Sequence, residues 1–433
     1  MLRRLDLRGV TGDLRTHLPR PALGGDEPVA AVRAILADVR ARGDAAVREY
    51  TARFDGVEVD DLRVPPADVA AALQAIPSDL RDALEAAHAN VLAYHQAQVG
   101  DTVHHERDGV VVRELRRPVD RAGLYVPGGR AVYPSTVLMT AVPARVAGVP
   151  EVVLCVPPAG DGRVPAPTLA AAALAGVDEV YRVGGAQAIG AMAYGTETIR
   201  PVDVIVGPGN VYVAEAKRQV AGVVGVPSAF AGPSEVVVVA DDATPVEWAA
   251  VDVVVQAEHG PDGLAWLVTW SEAAADAITA AVDRLVAASP RRADIEATLA
   301  EGGYAVLVDG PEQAVAVANA VVPEHLELLV DEAEALLPLV RHAGAVFCGP
   351  WAPASVGDYV AGPSHVLPTN GSARFASALR VDDFCTYVHV VALDAAALAK
   401  LAPHVATLAE AEGLPAHAES VRRRTEAGEG AAP

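Results

Sequence analysis

The feature that most constrains the fold of this 433-residue chain is an alternation of short β-branched runs with alanine-rich helical stretches from about residue 120 onward. Runs such as EVVLCV, VDVIVG and EVVVVAD are apolar at nearly every position, and stretches such as TLAAAALAG and AQAIGAMAYG separate them. Strands that are apolar throughout are buried on both faces, and helical crossovers make successive strands parallel. The pattern therefore predicts an α/β fold built on parallel sheets.

The same alternation continues in a second block, from PVEWAAVDVVVQAEH to AVFCG, and predicts a second Rossmann-like unit. Amphipathic helices such as VAAVRAILADVRARG dominate the residues before the first block, while a strand-like TYVHVVAL and a terminal helix follow the second. We therefore predict four parts. They are a helical N-terminal segment (1–118), a first Rossmann-like domain (119–235), a second Rossmann-like domain (236–375), and a small C-terminal domain (376–433) with a disordered tail from about 425.

Charge and composition exclude several classes of function. The formal net charge is −22, and Lys217 and Lys400 are the only lysines. Because no basic stripe could neutralise phosphates, we expect no nucleic-acid partner, and neither lysine lies in a phosphate-loop motif. No stretch approaches the roughly 20 apolar residues of a membrane span, and the first residues lack the apolar core of a signal peptide. We expect no membrane association and a cytoplasmic location.

The three cysteines, Cys155, Cys348 and Cys385, are odd in number and far apart. This spacing predicts neither a disulfide framework nor a thiolate zinc site. Two of them lie in the strand-like runs VVLCV and AVFCG and the third in DFCTYV, so we interpret all three as small buried hydrophobes rather than nucleophiles.

Three glycine-containing loops follow predicted strands: YVPGGRAVYPST (125–136), RVGGAQAIG (182–190) and VIVGPGN (204–210). Ligands of open parallel sheets bind beyond the carboxyl ends of the strands, where glycine lets the backbone approach a phosphate. None of the loops matches GxGxxG, and any one of them is equally typical of a tight turn without a ligand. Three such loops in one domain favour a nucleotide or dinucleotide.

Two short motifs place ionisable or metal-binding groups close together. In QAEHG, Gln256 and His259 project from one face of a helix, where both can bind a divalent metal; a histidine with a structural partner is the alternative. In VVPEHLELL, Pro323 predicts a helix start with Glu324 and His325 in its first turn. These two groups suit two separate proton transfers, or else an acid placed against the helix dipole beside an incidental histidine.

Two further stretches are candidates for function. Residues 355–375 form a long segment predicted to lack regular structure, with Asp358, His365 and Arg374, and such segments inside a compact protein usually carry function. The stretch AEGLPAHAES holds Glu412 and His417 just past the last long helix, where an exposed polar tail is the alternative.

The order of these motifs decides between the alternatives. QAEH, VVPEHLE, SVGDY, HVLPTNGSARF and EGLPAHAESV, with GGAQAI, GPGN and AGPSE before them, resemble the histidinol dehydrogenase family over roughly residues 30–425. The resemblance implies an enzyme with one zinc ion per subunit that oxidises L-histidinol to L-histidine with NAD, through an aldehyde. It also implies a homodimer, in which Glu412 and His417 of one subunit serve the active site of the other.

The resemblance also implies roles for individual residues. The implied zinc ligands are Gln256, His259, Asp358 and His417. The implied NAD contacts, one from each glycine loop, are Tyr125, Gln187 and Asn210. The implied substrate contacts are the four zinc ligands together with Ser234, His325, His365 and Glu412.

Two successive hydride transfers require an intermediate aldehyde. Because the cysteines are interpreted as buried, water rather than a thiolate is expected to add to that aldehyde. We expect His325 to act as the base for the hydride-transfer steps and Glu324 to activate the water.

Two departures from the family pattern concern substrate choice. Pro227, Ser228 and Ala229 replace a hydrophobe–Asp–Met run before AGPSE, and Ser364 replaces an asparagine before His365. A zinc- and NAD-dependent dehydrogenase of another small alcohol, such as a sulfonated diol, is therefore the first alternative. A zinc hydrolase would be active without NAD and would leave the glycine loops without a role. A catalytically silent binding protein would not need both Glu324 and His325.

Overall fold

The computed structural model describes residues 1–19, 27–128, 131–228, 234–258 and 263–426. Within these ranges the chain forms two compact units. Unit 1 contains residues 1–98 and 119–384, and unit 2 contains residues 99–118 together with the chain from residue 385. The tail expected to be disordered lies, from residue 427 on, outside the described ranges.

The strands, in chain order, are β1 (Arg3–Asp6), β2 (His104–Arg107), β3 (Val110–Pro118), β4 (Arg121–Tyr125), β5 (Glu151–Val156), β6 (Glu179–Arg182), β7 (Val204–Val206), β8 (Glu235–Ala240), β9 (Leu264–Thr269), β10 (Gly303–Leu307), β11 (His325–Leu329), β12 (Ala345–Cys348) and β13 (Cys385–Leu393). The α-helices are α1 (Glu27–Arg42), α2 (Asp44–Asp55), α3 (Pro66–Ala75), α4 (Ser78–Ala97), α5 (Pro134–Ala147), α6 (Ala166–Leu174), α7 (Gly185–Tyr194), α8 (Val211–Val220), α9 (Val246–Ala257), α10 (Glu272–Ala288), α11 (Arg292–Gly302), α12 (Pro311–Val321), α13 (Ala333–Leu336), α14 (Ala354–Tyr359), α15 (Ala395–Ala411) and α16 (Pro415–Glu426).

The first sheet is parallel, with the strand order β6–β5–β4–β7. Alternate side chains leave it on opposite faces. Leu124 and Leu154 pack in one cluster with α5 and α6, and Val153 and Cys155 pack in another with α7 and α8. Both faces are buried, as apolar runs predict. Cys155 is fully buried, as predicted, and burial raises the pKa of its thiol to about 12, whereas Cys348 and Cys385 are only half-buried.

The second sheet is also parallel, with the order β1–β10–β9–β8–β11–β12. Chain order runs away in both directions from the pair β8 and β11, so this pair is the switch point of the sheet. His325, the first residue of β11, lies beside Val236 of β8 and Ala345 of β12. Two parallel sheets flanked by helices confirm the predicted α/β class.

The segment 1–118 is less helical than its amphipathic runs suggest. It holds helices α1 to α4, but β1 joins the second sheet, and β2 and β3 form a hairpin. Asp108 and Gly109, with φ of 53° and 80°, make the two-residue turn of this hairpin, a conformation that matches the twist of the strands. β1 depends on pairing with β10 far along the chain, which local pattern does not reveal, whereas the Asp-Gly turn is a local signal of the hairpin that the helical interpretation overlooked. The four-part division of the chain stays a prediction.

Unit 2 is built on an antiparallel sheet in the order β13–β3–β2. Helices α15 and α16 pack on each other through Ala406, Ala409 and Ala418. The strand expected at TYVHVVAL and the helix expected after it are both present. Among the described helices of the chain, none is long and apolar enough to cross a bilayer.

Candidate active site

Glu324 and His325 lie at the start of a strand, and the predicted helix start is wrong. Val322 ends α12 in the left-handed conformation, and Pro323 then leads into the extended backbone of β11. A proline and two ionisable residues are a weak local signal for a helix. Here it is overridden by pairing with β8 and β12, which supplies backbone hydrogen bonds on both sides of the strand.

The main chain of Glu235 holds both members of this pair. Its N–H donates to Oε2 of Glu324 at 3.2 Å, and its carbonyl accepts from Nδ1 of His325 at 3.3 Å. Because Nδ1 carries the proton of that bond, Nε2 is the nitrogen left for chemistry. The Glu324 carboxylate and the His325 ring are 3.6 Å apart, between Oε2 and Nδ1. One peptide segment therefore fixes the orientation of both groups.

Burial and neighbouring charges shift both pKa values. Glu324 is 8% exposed, and the loss of solvent raises the pKa of its carboxyl to about 7. For His325, burial alone would lower the pKa, but Glu324 and Asp358 outweigh this effect and raise the pKa to about 9. Oδ1 of Asp358 lies 3.3 Å from Nε2, so a proton on the ring is favoured. The carboxyl titrates near neutral pH, the range that suits a general base.

An aromatic contact places Asp358 beside His325. The ring of Phe347, on β12, stacks on His325 with 5.8 Å between ring centroids and 24° between ring planes. A Cβ on Gly357 would lie 2.4 Å from the Phe347 ring, so only glycine permits α14 to approach this closely. The segment 355–375 is thus not wholly irregular, since Asp358 is carried by the short helix α14.

His365 connects this helix to the first sheet. Its Nδ1 lies 2.8 Å from the main-chain oxygen of Asp358, and its Nε2 lies 2.8 Å from Oγ1 of Thr136 on α5. The neighbouring Ser364 is 2% exposed and donates to the carbonyl of Met139. This departure from the family pattern therefore makes a buried main-chain contact with α5.

The predicted metal ligands are only partly described. Gln256 lies in the last turn of α9, 2% exposed, and its Nε2 has no hydrogen-bond partner within the described part of the chain. His259 lies outside the described residues. His417 and Glu412 are exposed in unit 2, in α16 and at the end of α15. Within the described ranges, no group of three or more His, Cys, Asp or Glu side chains forms a metal cluster.

Ser234 immediately precedes β8 and is half-buried. Its carbonyl accepts from the N–H of Leu264, which ties this residue to the start of β9. In the departing run before it, Pro227 and Ser228 are described and Ala229 lies outside the described residues.

The three predicted NAD residues lie at the carboxyl edge of the first sheet. Tyr125 ends β4, and its hydroxyl oxygen accepts from the N–H of Gly185 at 3.1 Å. Gln187 is fully buried in the first turn of α7, and neither atom of its amide has a partner among the described residues. Asn210 caps α8, where Oδ1 accepts from two backbone N–H groups at 3.1 Å.

The third loop packs tightly on the first. Gly207 has φ of +107°, and a Cβ there would lie 2.0 Å from the carbonyl oxygen of Tyr125. The carbonyl of Gly207 also accepts from the buried ammonium of Lys217. Close backbone approach between neighbouring loops is the reason that this position needs glycine.

Comparison with known proteins decides what kind of site this is. The family model described as histidinol dehydrogenase matches residues 18–425. Histidinol dehydrogenase from Parasynechococcus marenigrum (strain WH8102) is 51% identical over 91% of this chain and 90% of its own, and that from Gluconobacter oxydans (strain 621H) is 47% identical over 98% and 100%. The crystal structure of histidinol dehydrogenase from Elizabethkingia anophelis superposes with a TM-score of 0.94 at 33% identity, covering 98% of each chain.

The chain belongs to the histidinol dehydrogenase family. Members of this family catalyse the final step of histidine biosynthesis and use NAD and a zinc ion. Both cofactors find suitable groups here. Among the described residues, both amide atoms of Gln187 and the Nε2 of Gln256 are buried without a partner, and a ligand can satisfy such groups. The carboxylate oxygens of Asp358 are donors of the kind found at zinc sites, and the amide of Gln256 can offer its Oε1.

Sequence reasoning missed several groups that contact the predicted site residues. Glu235 acts through its main chain, which no side-chain pattern reveals. Thr136 ends the sequence stretch that contains the first glycine loop and lies in the first turn of α5, and only the fold brings it to His365. Asp252 could have been noticed, because it is an acid within the apolar run EWAAVDVVVQ.

Proposed function

We propose that this chain oxidises L-histidinol to L-histidine with two molecules of NAD, and that Glu324 and His325 carry the proton transfers. The chain is an NAD-dependent oxidoreductase of the histidinol dehydrogenase family. The observation that carries the proposal is the buried pair at the start of β11, which the main chain of Glu235 holds by two hydrogen bonds.

The reaction takes four electrons from one carbon. The alcohol loses a proton and a hydride to give an aldehyde, water adds to form the hydrate, and the hydrate loses a second hydride to give the carboxylate. A thioester route lacks a suitable cysteine in unit 1, since Cys155 is sealed between the first sheet and its helices and Cys348 packs at the edge of a core cluster. Addition of water is therefore the route that the site supports.

Each proton needs a group with a suitable pKa. His325 takes the alcohol proton, and later the hydrate proton, at Nε2, because Nδ1 is already committed to the carbonyl of Glu235. When Asp358 shares its charge with a bound cation, less negative charge faces the ring, and the pKa of His325 falls from about 9 toward the range of a base. Glu324, with a pKa of about 7, accepts the proton of the attacking water.

The proposed zinc ligands are Gln256, His259 and Asp358 from one subunit and His417 from its partner. A zinc ion held by these residues would bind nitrogen groups of the substrate as a Lewis acid, and these residues would thereby orient its alcohol carbon. The exposed positions of Glu412 and His417 in unit 2 leave them available for a neighbouring subunit, which supports a homodimer. All three cysteines are free thiols, as suits the cytoplasm.

The remaining contacts are assigned by position. Tyr125, Gln187 and Asn210 contact NAD at the carboxyl edge of the first sheet. Ser234 and His365 contact L-histidinol near Asp358, and Glu412 binds its amine. The ring of His365 is held at both nitrogens, so its orientation is fixed, and a substrate contact would replace the bond to Thr136 or use the face of the ring.

The deciding experiment is the number of NADH molecules formed per L-histidinol consumed, with and without a metal chelator. We expect two, with activity lost on chelation and restored by zinc. One NADH per substrate would mean release of the aldehyde and would contradict the role of Glu324. No NADH from L-histidinol, with activity on another small alcohol, would contradict the substrate, and hydrolysis without NAD would contradict the whole proposal.

A further inference from the structure

Two buried carboxyl groups lie next to the proton-transfer pair without a role in it. Asp252 on α9 is 6% exposed and Glu327 on β11 is 1% exposed. Their carboxyl groups face each other, Oε2 of Glu327 has no other hydrogen-bond partner among the described residues, and a proton on either acid joins the two by a hydrogen bond. Buried acids are retained only where they are paired or hydrogen-bonded, so the arrangement calls for an explanation.

The alternation of β11 shows which way Glu327 points. Leu329 packs in the cluster that contains the α9 residues Ala249 and Val253, whereas Leu326 and Leu328 pack in the cluster on the other face. Glu327 has the same parity as Leu329 and therefore faces α9. His325 has this parity too, so both side chains leave the strand on one face.

Asp252 and Glu327 are each linked to a predicted zinc ligand. Asp252 lies four residues before Gln256 on α9, so both occupy one side of that helix. Oε1 of Glu327 accepts from the N–H of Ala354 at 3.3 Å, and Ala354 begins α14, which carries Asp358. A single hydrogen-bonded network thus joins α9, β11 and α14.

Burial of two neighbouring acids favours one proton shared between their carboxyl groups. Burial raises the pKa of Glu327 to about 9 and raises the pKa of Asp252 as well. The charged groups that face Glu327 are Asp252 on α9 and His325 on its own strand, while its neighbours in register, Val238 and Phe347, are apolar. With both carboxylates ionised, two like charges would be buried side by side.

We infer that Asp252 and Glu327 are positioning residues, which hold Gln256, His325 and Asp358 in register for L-histidinol and zinc. The inference rests on the proposed function. It adds that the positions of the site residues at the amino edge of the second sheet depend on the buried contact between Asp252 and Glu327. A displacement of about 1 Å at a reacting group can lower a rate about a hundredfold.

Two substitutions at one position test the inference. In E327Q the new amide donates to Asp252 without any shared proton, and its oxygen still accepts from Ala354. In E327D the acid is kept, but its shorter side chain cannot reach both partners. The matched control is D44A, which removes a 5% exposed acid that accepts from Thr198 on another part of unit 1.

We expect E327Q to keep kcat/KM for L-histidinol within about threefold of the unmodified chain, and E327D to lower it about tenfold to a hundredfold. Zinc affinity, measured by competition with a chelator on the protein alone, falls in E327D and is kept in E327Q. The dissociation constant of NAD, measured by calorimetry, is unchanged in both. D44A lowers the melting temperature without changing these quantities.

Equal damage in E327Q and E327D would overturn the inference, because an ionised carboxylate would then be required. Full zinc affinity and kcat/KM in E327D would overturn it too. If E327D does not fold, the double variant D252N/E327Q decides, since two bonded amides should keep both zinc affinity and rate. Should the unmodified chain fail to oxidise L-histidinol, the proposed function fails, while the zinc measurement still tests the positioning.

Discussion

The predicted functional residues of unit 1 lie at opposite edges of its two parallel sheets. In the first sheet, Tyr125, Gln187 and Asn210 follow the carboxyl ends of strands, where ligands of open α/β sheets usually bind. In the second sheet, Glu235 and His325 are the first residues of β8 and β11, so the proton-transfer pair lies at the amino edge. Helices return to that edge before each new strand begins, and this is how the last turn of α9 reaches it.

The difference lies in what each edge supplies. The carboxyl edge of the first sheet offers loops whose glycines and helix N-termini place backbone groups at the surface of a ligand. The amino edge of the second sheet offers side chains that emerge directly from a buried core. Loss of solvent there raises the pKa of Glu324 to about 7. Binding of NAD is thus expected to depend on one edge and proton transfer on the other.

The largest expected effect is loss of proton transfer at the amino edge. In H325N the amide can still donate to the carbonyl of Glu235, but no group remains to accept the alcohol proton. We expect kcat to fall about a thousandfold, with an unchanged dissociation constant for NAD. In E324Q the first NADH should form rapidly, and the aldehyde should accumulate because water is not activated.

Stopped-flow detection of NADH and calorimetry with NAD measure these two effects separately. If H325N weakens NAD binding as much as it lowers kcat, the assignment of NAD binding to one edge and proton transfer to the other is wrong. If E324Q forms both NADH molecules at equal rates, Glu324 does not activate the water.

The second prediction concerns a buried charge behind the carboxyl edge. Lys217 is 3% exposed, bonded to the carbonyls of Gly207 and Ser228, and burial lowers the pKa of its ammonium from 10.5 to about 7. Between these two values the unfolded chain binds a proton that the folded chain does not, so stability rises with pH. This contribution is present above pH 10.5 and is lost as the pH falls through 7.

The variant K217M has no titratable group at this position, so its stability does not change with the ionisation of Lys217. The free energy of unfolding of the unmodified chain, minus that of K217M, should therefore increase from pH 7 to pH 10 by about 3–4 kcal/mol. Urea titrations at several pH values measure the difference, and K400M is the control, because Lys400 lies in unit 2 on an exposed helix surface. A difference that is constant with pH would mean that Lys217 stays charged in the fold.

The sequence predicted the first sheet better than the second. Apolar runs and glycine loops are local signals, and all three loops were found to follow the strands expected of them. The pair at Glu324 and His325 was found in a local motif and given a role through the family resemblance, but its predicted secondary structure was wrong. Nothing within five residues of Pro323 reveals that β8 and β12 lie on either side.

Contacts between segments that are distant in the sequence could not be predicted either, because a local pattern does not show which other element lies beside it. The bonds from Glu235 to His325 and from Thr136 to His365 join residues about 90 and 229 apart in the chain. Asp252 and Glu327 also meet only in the fold. Periodicity reports which face of an element is buried, and it does not report which other element covers that face.

The third prediction sharpens the role of the carboxyl edge. Gln187 is a buried amide without partners among the described residues, which is unfavourable in the ligand-free protein. The variant Q187M keeps the length of the side chain and removes the amide. We expect the free energy of unfolding without NAD to rise by about 1 kcal/mol, while the dissociation constant of NAD rises about tenfold. Loss of stability in Q187M would show instead that the amide has a structural partner.

The smallest expected effect concerns the link between the two sheets. Thr136, which follows the first glycine loop, bonds to Nε2 of His365, and the other nitrogen of that ring bonds to the main chain of Asp358. T136V is isosteric and removes only this hydrogen bond, whose net contribution is about 0.5–1.5 kcal/mol. The KM for L-histidinol should therefore rise about threefold to tenfold, with kcat and the KM for NAD unchanged, and T136S should restore it. If the KM for NAD rises instead, Thr136 contributes to NAD binding at the carboxyl edge of the first sheet. The assignment of one edge to NAD and the other to L-histidinol is then wrong for this residue.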